Sequence, residues 1–167
     1  MQGVEITLEQ MLASRDARQQ KQQSLLHDNP AKTLVCLTVV FPGSIKRNAD
    51  SLIVAHKAVK ALQESFPDSD IEISDLPTGF EAFLLTDEPA HAVKQKTVRI
   101  EDTHPLGRLF DADVLTADGI PLSRHDIGAQ PRKCLLCDHE ARYCMRNHTH
   151  STDELLQHIH NLVALNV

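Results

Sequence analysis

The chain has 167 residues, 41% of them hydrophobic, and a formal net charge of −6 when histidine is neutral. That is enough for one domain with a real core, and it excludes a disordered chain. The negative charge, a single tyrosine and no tryptophan speak against a nucleic-acid binder, and no apolar run approaches the ~20 residues of a membrane span.

Met1 to Gln10 has no basic region followed by an apolar run, so no secretory signal is expected and the cytoplasm is the default compartment. The whole of 1–167 is expected to form one domain, with a core over about 31–125 and a Cys/His and helical segment over about 126–167.

Thr7-x-x-Gln10 is a capping-box pattern that opens a helix to about Leu26, stopped by Asn29-Pro30. Its apolar face is patchy and its middle polar, with Arg15, Arg18 and Lys21 three residues apart. Such a run is either a solvated face or a basic edge over an anionic ligand. Leu34 to Phe41 is nearly continuous apolar and β-branched, as in a strand buried on both faces. It breaks at Pro42-Gly43-Ser44-Ile45-Lys46. A strand that ends so and meets a helix leaves backbone N–H groups free at the helix start, which suits phosphate. An ordinary strand–helix turn reads the same way, and P-loop spacing is absent.

Asn48 or Asp50 caps the next helix, whose buried stripe is Leu52, Ala55, Val59, Leu62 and Phe66. Ile71 to Leu76 alternates as a short strand, and Pro77-Thr78-Gly79 turns into another, Phe80 to Leu85. Thr86 or Asp87 then caps a helix with Pro89 in its first turn and Ala90, Val93, Thr97 and Ile100 inward. Pro105 disfavours the helical conformation at His104 and ends it. Arg108 to Val114 follows as a strand, and Asp118-Gly119 turns it into a returning strand from Ile120 to Ser123.

Strand, helix, strand, strand, helix, strand is the split βαβ order of a ferredoxin-like α+β fold. It predicts an antiparallel sheet core with an N-terminal helix and a C-terminal Cys/His-containing helical extension. The Arg108–Val114 strand should lie beside Leu34–Phe41 in mid-sheet. The Pro42–Lys46 turn is expected at the opposite end of that pair from the start of the last strand.

Within that last strand, Asp111 and Asp113 share one face while Phe110, Ala112 and Val114 share the other. Two carboxylates roughly 6–7 Å apart along a strand repel unless a cation lies between them. A hard divalent ion such as Mg²⁺ meets that demand and brings phosphate oxygens as further ligands. A solvated edge strand with two surface acids is the plainer alternative, although aspartate is a poor strand former.

The segment from Arg124 to His150 carries Arg124, Arg132, Lys133, Arg142 and Arg146. Cys134-x₂-Cys137-x₆-Cys144 with His150 offers three thiolates and an imidazole, a set suited to structural zinc. Alternatively a helix from about Leu135 to Met145 buries these thiols as small hydrophobes. Zinc here would leave the arginines free for phosphate. Ser151-x-x-Glu154 opens a final packing helix with Leu155, Ile159 and Leu162 on one side.

Several of these stretches together resemble a known family. They are Ser14-Arg-Asp-Ala-Arg-Gln19, Thr38-Val-Val-Phe-Pro-Gly43 with Lys46, and His104-Pro-Leu-Gly-Arg-Leu-Phe-Asp-Ala-Asp-Val114. Leu122-Ser-Arg-His-Asp126, Pro131-Arg-Lys-Cys-Leu-Leu-Cys137, Cys144 and His150 complete the set. The sequence resembles the phosphoribosyl-dephospho-coenzyme A transferases of apo-citrate lyase, also called holo-citrate-lyase acyl-carrier-protein synthases. The resemblance implies a nucleotidyl-type transfer. The donor would be 2′-(5″-triphosphoribosyl)-3′-dephospho-coenzyme A, the acceptor a serine of the citrate lyase acyl carrier protein subunit, and the leaving group diphosphate.

On that basis Asp111 and Asp113 are expected to hold Mg²⁺, with Arg108 and Arg124 on the phosphates. Arg15, Arg18, Gly43 and Lys46 are further phosphate-binding candidates. Asp126 or His104 would take the serine proton. Two other readings stay open: an equivalent transferase for another carrier, such as that of malonate decarboxylase, and a non-catalytic zinc-stapled module that binds a carrier or nucleotide.

Overall fold

The computed structural model describes residues 3–167; Met1 and Gln2 lie outside the described residues. Helix α1 (Leu8–Asp28) is followed by strand β1 (Thr33–Val39), α2 (Ala49–Ser65), and the hairpin β2 (Ile71–Leu76) and β3 (Gly79–Thr86). Then come α3 (Ala90–Thr103), a 3₁₀ turn at Gly107–Leu109, β4 (Phe110–Leu115), the short β5 (Pro121–Leu122), α4 (Ala141–Asn147) and α5 (Thr152–Ala164). The strands form one antiparallel sheet in the order β2-β3-β1-β4-β5. This is a mixed α and β protein, and the Asp-x-Asp strand does lie beside the buried strand. No described helix is long and apolar enough to cross a membrane.

The local signals act as their chemistry dictates. Thr7 and Gln10, and likewise Ser151 and Glu154, form reciprocal capping boxes at the starts of α1 and α5. Asn48 caps α2 through Ser51. Both faces of β1 are covered, as its continuous apolar run requires. On one face Val35 and Leu37 join Val54, Ala58, Leu62, Phe110, Val114 and Ile159 in the larger core, under α2, α3 and α5. On the other, Leu34, Cys36 and Phe83 pack beneath Leu26 of α1.

Two expectations are corrected. The Pro42–Lys46 turn lies at the same end of the sheet as the start of β4: Val39 pairs with Phe110, and Val40 N–H donates to Leu109 O at 2.8 Å. Antiparallel neighbours bring the end of one strand to the beginning of the next. Helix α3 takes Pro89 as its N-cap with no side-chain cap, so neither Thr86 nor Asp87 serves. Its buried face keeps Val93 and Thr97 of the expected stripe, with Ile100 packed partly buried against the core, and adds Lys94, Val98 and Glu101. Glu101 answers a demand made by β4. Because β5 pairs only with Val114 and Leu115, the first half of β4 has an outer edge without a strand partner.

Candidate active site

Side chains directly opposed in a sheet share a face. On the α1 side, Glu81 of β3, Thr38 of β1 and Asp111 of β4 form one row, and Phe83, Cys36 and Asp113 the next. Helix α1 lies over the β2–β3 half of these rows. Ser14 hydrogen-bonds Thr78 at 2.9 Å, Arg18 pairs with Glu81 at 2.9 Å, and Lys21 pairs with Glu72 while its ammonium sits over the Phe83 ring. The basic residues of α1 are therefore turned largely onto the acids of the sheet. Arg15 remains exposed, with no carboxylate partner among the described residues.

The β4 half of the face is left open. Phe110, Ala112 and Val114 are buried in the core, while Asp111 is half-buried and Asp113 meets solvent on the other side. Asp113 touches water yet is crowded by protein. That desolvation, and then the charge of Asp111, push its pKa up to about 6, against the pull of Lys94 and Arg18. Cys36, beneath this row, has its thiol pushed up to about 11 by burial and stays a neutral packing group.

The unpaired edge of β4 is completed by side chains rather than by a strand. Glu101 of α3, 4% exposed, accepts the N–H of Ala112 at 3.0 Å. Arg132 donates to the carbonyls of Phe110 (2.7 Å) and Arg108 (2.8 Å), and pairs with Glu101 at 3.1 Å and Asp111 at 3.8 Å. Arg124 pairs with Glu101 at 2.9 Å and Asp102 at 3.0 Å and donates to Gln130 O. Neither arginine is a free cation, whereas Arg142 and Arg146 of the same segment are exposed with no carboxylate partner among the described residues. Arg132 touches the site from its edge, while Arg124 holds the frame.

Arg108 has no ion pair among the described residues. Burial, then the charges of Arg132 and Arg124, push its pKa down from the ordinary value. Lys46 is held down by burial and by Arg15, with its ammonium donating to Phe41 O at 2.7 Å. Such cations gain from the arrival of an anion. Gly43, at φ +84°, belongs to the same turn, but α2 begins only at Ala49, so the turn presents no helix N-terminus.

The two possible bases stand apart from the aspartates. His104 accepts Leu106 N–H at 3.0 Å and packs on Phe110, on the opposite face of the sheet; burial holds its imidazole towards the neutral form. Asp126 accepts from the N–H and hydroxyl of Ser123, which keep its carboxyl below the usual range. Sequence reasoning missed Glu101 and Lys94. Their only signal was a charged pair at i, i+7 on a helix whose apolar stripe is narrow.

Cys134, Cys137, Cys144 and His150 converge, each offering one ligand atom, all within 4.8 Å of one another. Cys137 and Cys144 sulfurs lie 3.4 Å apart as free thiols. A tetrahedral zinc needs ligand separations of roughly 3.5–3.8 Å, so the set fits such an ion with small adjustment. His150 Nε2 is buried without a hydrogen-bond partner, an orphan that a metal would satisfy. Burial would raise the Cys134 thiol, but the N–H groups of Leu136 and Cys137 and the neighbouring thiols outweigh it and bring it to about 7. The cluster could hold a metal, and the alternative of one helix across Leu135–Met145 is not what forms: α4 begins only at Ala141.

The description "Apo-citrate lyase phosphoribosyl-dephospho-CoA transferase" belongs to a family model that matches residues 6–165. The chain belongs to this family. Curated proteins of that name from Escherichia coli O1:K1 and from Shigella flexneri serotype 5b are each 37% identical over 163 residues, covering 95% of this chain and 88% of theirs. The family match spans the aspartate pair, both groups of cations and the Cys/His cluster.

The raised Asp113 carboxyl has a thermodynamic signature in metal-free protein. An unfolded chain releases this proton near pH 4, about the ordinary aspartate value, and the folded chain near pH 6. Between those limits the folded state holds more protons, so this group makes stability fall as pH rises; outside them its slope vanishes. Denaturant midpoints taken across the window should show that decline in wild type and a flatter profile in Asp113→Asn. Parallel profiles would mean the carboxyl is unperturbed.

Proposed function

We propose that this protein transfers the 2′-(5″-phosphoribosyl)-3′-dephospho-coenzyme A group to a serine of the citrate lyase acyl carrier subunit. The donor is the 5″-triphosphate. The serine oxygen attacks the α-phosphorus and loses its proton, the bond to the β-phosphate breaks, and diphosphate leaves. The observation that carries this reading is the aspartate pair on an open face, with Arg132 at 3.8 Å from Asp111 at its edge, in a chain of this family.

Asp111 and Asp113 offer oxygen donors on one face of β4 that would hold Mg²⁺, and the ion would supply charge neutralisation for the polyphosphate. The chain's own part is to orient and stabilise. Arg108, short of an anion, would meet phosphate oxygens through charge-assisted hydrogen bonds, and Arg15, Arg18, Gly43 and Lys46 would line the far side. Cys134, Cys137, Cys144 and His150 would hold a structural zinc. The order of elements and strands supports grouping the core with ferredoxin-like split βαβ folds. We read 1–167 as one domain acting in the cytoplasm, without a membrane or nucleic-acid partner.

Incubation with donor, Mg²⁺ and apo-carrier should add the prosthetic-group mass to a carrier serine and release diphosphate. Asp111→Asn should lower turnover by orders of magnitude with the fold intact; a wild-type rate in that variant would remove the aspartates from the chemistry. Mass added only to a decarboxylase carrier would reassign the acceptor.

Purified protein should carry about one zinc per chain, lost in Cys144→Ser. Wild-type protein that takes up no zinc under reducing conditions would show the cluster to be a thiol packing site.

A further inference from the structure

Arg132 and Arg124 share one buried carboxylate and use it differently. Glu101, 4% exposed, gives one oxygen to each: Oε1 to Arg124 at 2.9 Å and Oε2 to Arg132 at 3.1 Å. Arg124 spends its other contacts on Asp102 and on Gln130 O, neither of them in β4. Arg132 turns to the strand, donating to Phe110 O at 2.7 Å and to Arg108 O, just before it, at 2.8 Å. Those bonds bring its guanidinium to 3.8 Å from Asp111. Among the described residues no other cation lies in ion-pair range of either aspartate.

A separation of 3.8 Å is too long for a hydrogen bond, so Asp111 does not use up the guanidinium. Glu101 and the two backbone carbonyls fix it in place instead, and they take three of its N–H donors. The other donors of the fork have no acceptor among the described residues. The Arg132 side chain is 23% exposed, that of Arg124 12%. Arg132 is thus a cation pinned at the rim of the aspartate face, with uncommitted donors and access to solvent.

We propose that Arg132 is a substrate-binding residue of the transferase, its guanidinium contacting an oxygen of the donor's diphosphate portion beside Asp111. A planar fork already held in place loses little freedom on taking a phosphate oxygen. Negative charge grows on the diphosphate as its bond to the α-phosphorus breaks, so a fixed cation there favours its departure. Arg124, tied to the same Glu101, steadies that carboxylate and does not reach the donor. This rests on the reading that the aspartate face binds polyphosphate.

The test compares Arg132→Lys with Arg124→Lys in the full chain. Lysine keeps a positive charge for Glu101 in both but cannot reproduce the fork. Arg132→Lys should raise the donor KM, and the inhibition constant of diphosphate in the presence of Mg²⁺, by about 10-fold, the lower end for one hydrogen bond to a charged group. Arg124→Lys should leave both near their wild-type values, and the carrier KM should hold in each variant. Binding of Mn²⁺ alone, read by electron paramagnetic resonance, should be unchanged in Arg132→Lys, because the aspartates keep their places.

A loss of Mn²⁺ affinity in Arg132→Lys as large as the loss of diphosphate affinity would make the arginine a prop for β4 and overturn the proposal. Equal diphosphate constants in the two lysine variants, with Asp111→Asn inactive, would overturn it and leave the site standing. Unaltered diphosphate binding and activity in Asp111→Asn would overturn both. Should a lysine variant fail to fold, crystals of the wild-type chain with Mg²⁺ and diphosphate decide the matter. A diphosphate oxygen about 3 Å from an Arg132 nitrogen is expected; diphosphate seated away from Arg132 would overturn the proposal.

Discussion

A buried carboxylate, that of Glu101, settles the edge of the sheet on which the site depends. The first half of β4 has no strand on its outer side, and an unpaired backbone N–H there would be left without an acceptor. Glu101 takes the Ala112 N–H and draws in Arg124 and Arg132. Arg132 returns the favour to the carbonyls of Phe110 and Arg108. The residue that Glu101 holds is the one between the two aspartates. Losing one partner of such a buried cluster typically costs about 3–5 kcal/mol, because the others remain charged and desolvated. The rigidity of the Asp-x-Asp segment comes from this polar frame as much as from Phe110 and Val114 in the core.

The same frame joins the Cys/His segment to the site. Arg132 stands two residues before Cys134, and its carbonyl accepts the Ala141 N–H while Cys134 N–H donates to His139 O at 2.7 Å. A small hairpin therefore carries both the arginine and the thiols. Holding the thiols in one cluster limits how far Arg132 can move from β4. Electrostatically the result is uneven. Arg18, Lys21 and Arg124 are matched by carboxylates, whereas Arg108 and Arg15 have no carboxylate partner among the described residues, and the two neighbouring aspartates repel one another. Such a surface is poised for a polyanion together with a divalent cation.

Much of this could be read from residues alone because the relevant signals are local. Thr7, Asn48 and Ser151 announce helix starts through their own side chains, and alternation along Phe110–Val114 assigns Asp111 and Asp113 to one face. The cysteines declared a cluster by spacing. What escaped was non-local. That Glu101 would be buried follows from the shortness of β5, which a two-residue strand does not advertise. That Arg124 and Arg132 would be bound to Glu101 follows from the path of residues 123–133 along the β4 edge. The placement of the Pro42–Lys46 turn was legible in principle, since antiparallel pairing fixes which ends meet. His104 sits in the motif that carries the aspartates, yet the chain turns between His104 and Phe110, so the two end on opposite faces.

The central claim is that Asp111 and Asp113 gather a divalent cation against a polyphosphate. Mn²⁺ in place of Mg²⁺ makes this visible by electron paramagnetic resonance. With diphosphate present, the wild-type chain should bind Mn²⁺ in a complex whose spectrum carries phosphorus coupling. Asp111→Asn and Asp113→Asn should lose it, and Cys144→Ser should keep it. The same Mn²⁺–diphosphate complex at undiminished affinity in both aspartate variants would contradict the account.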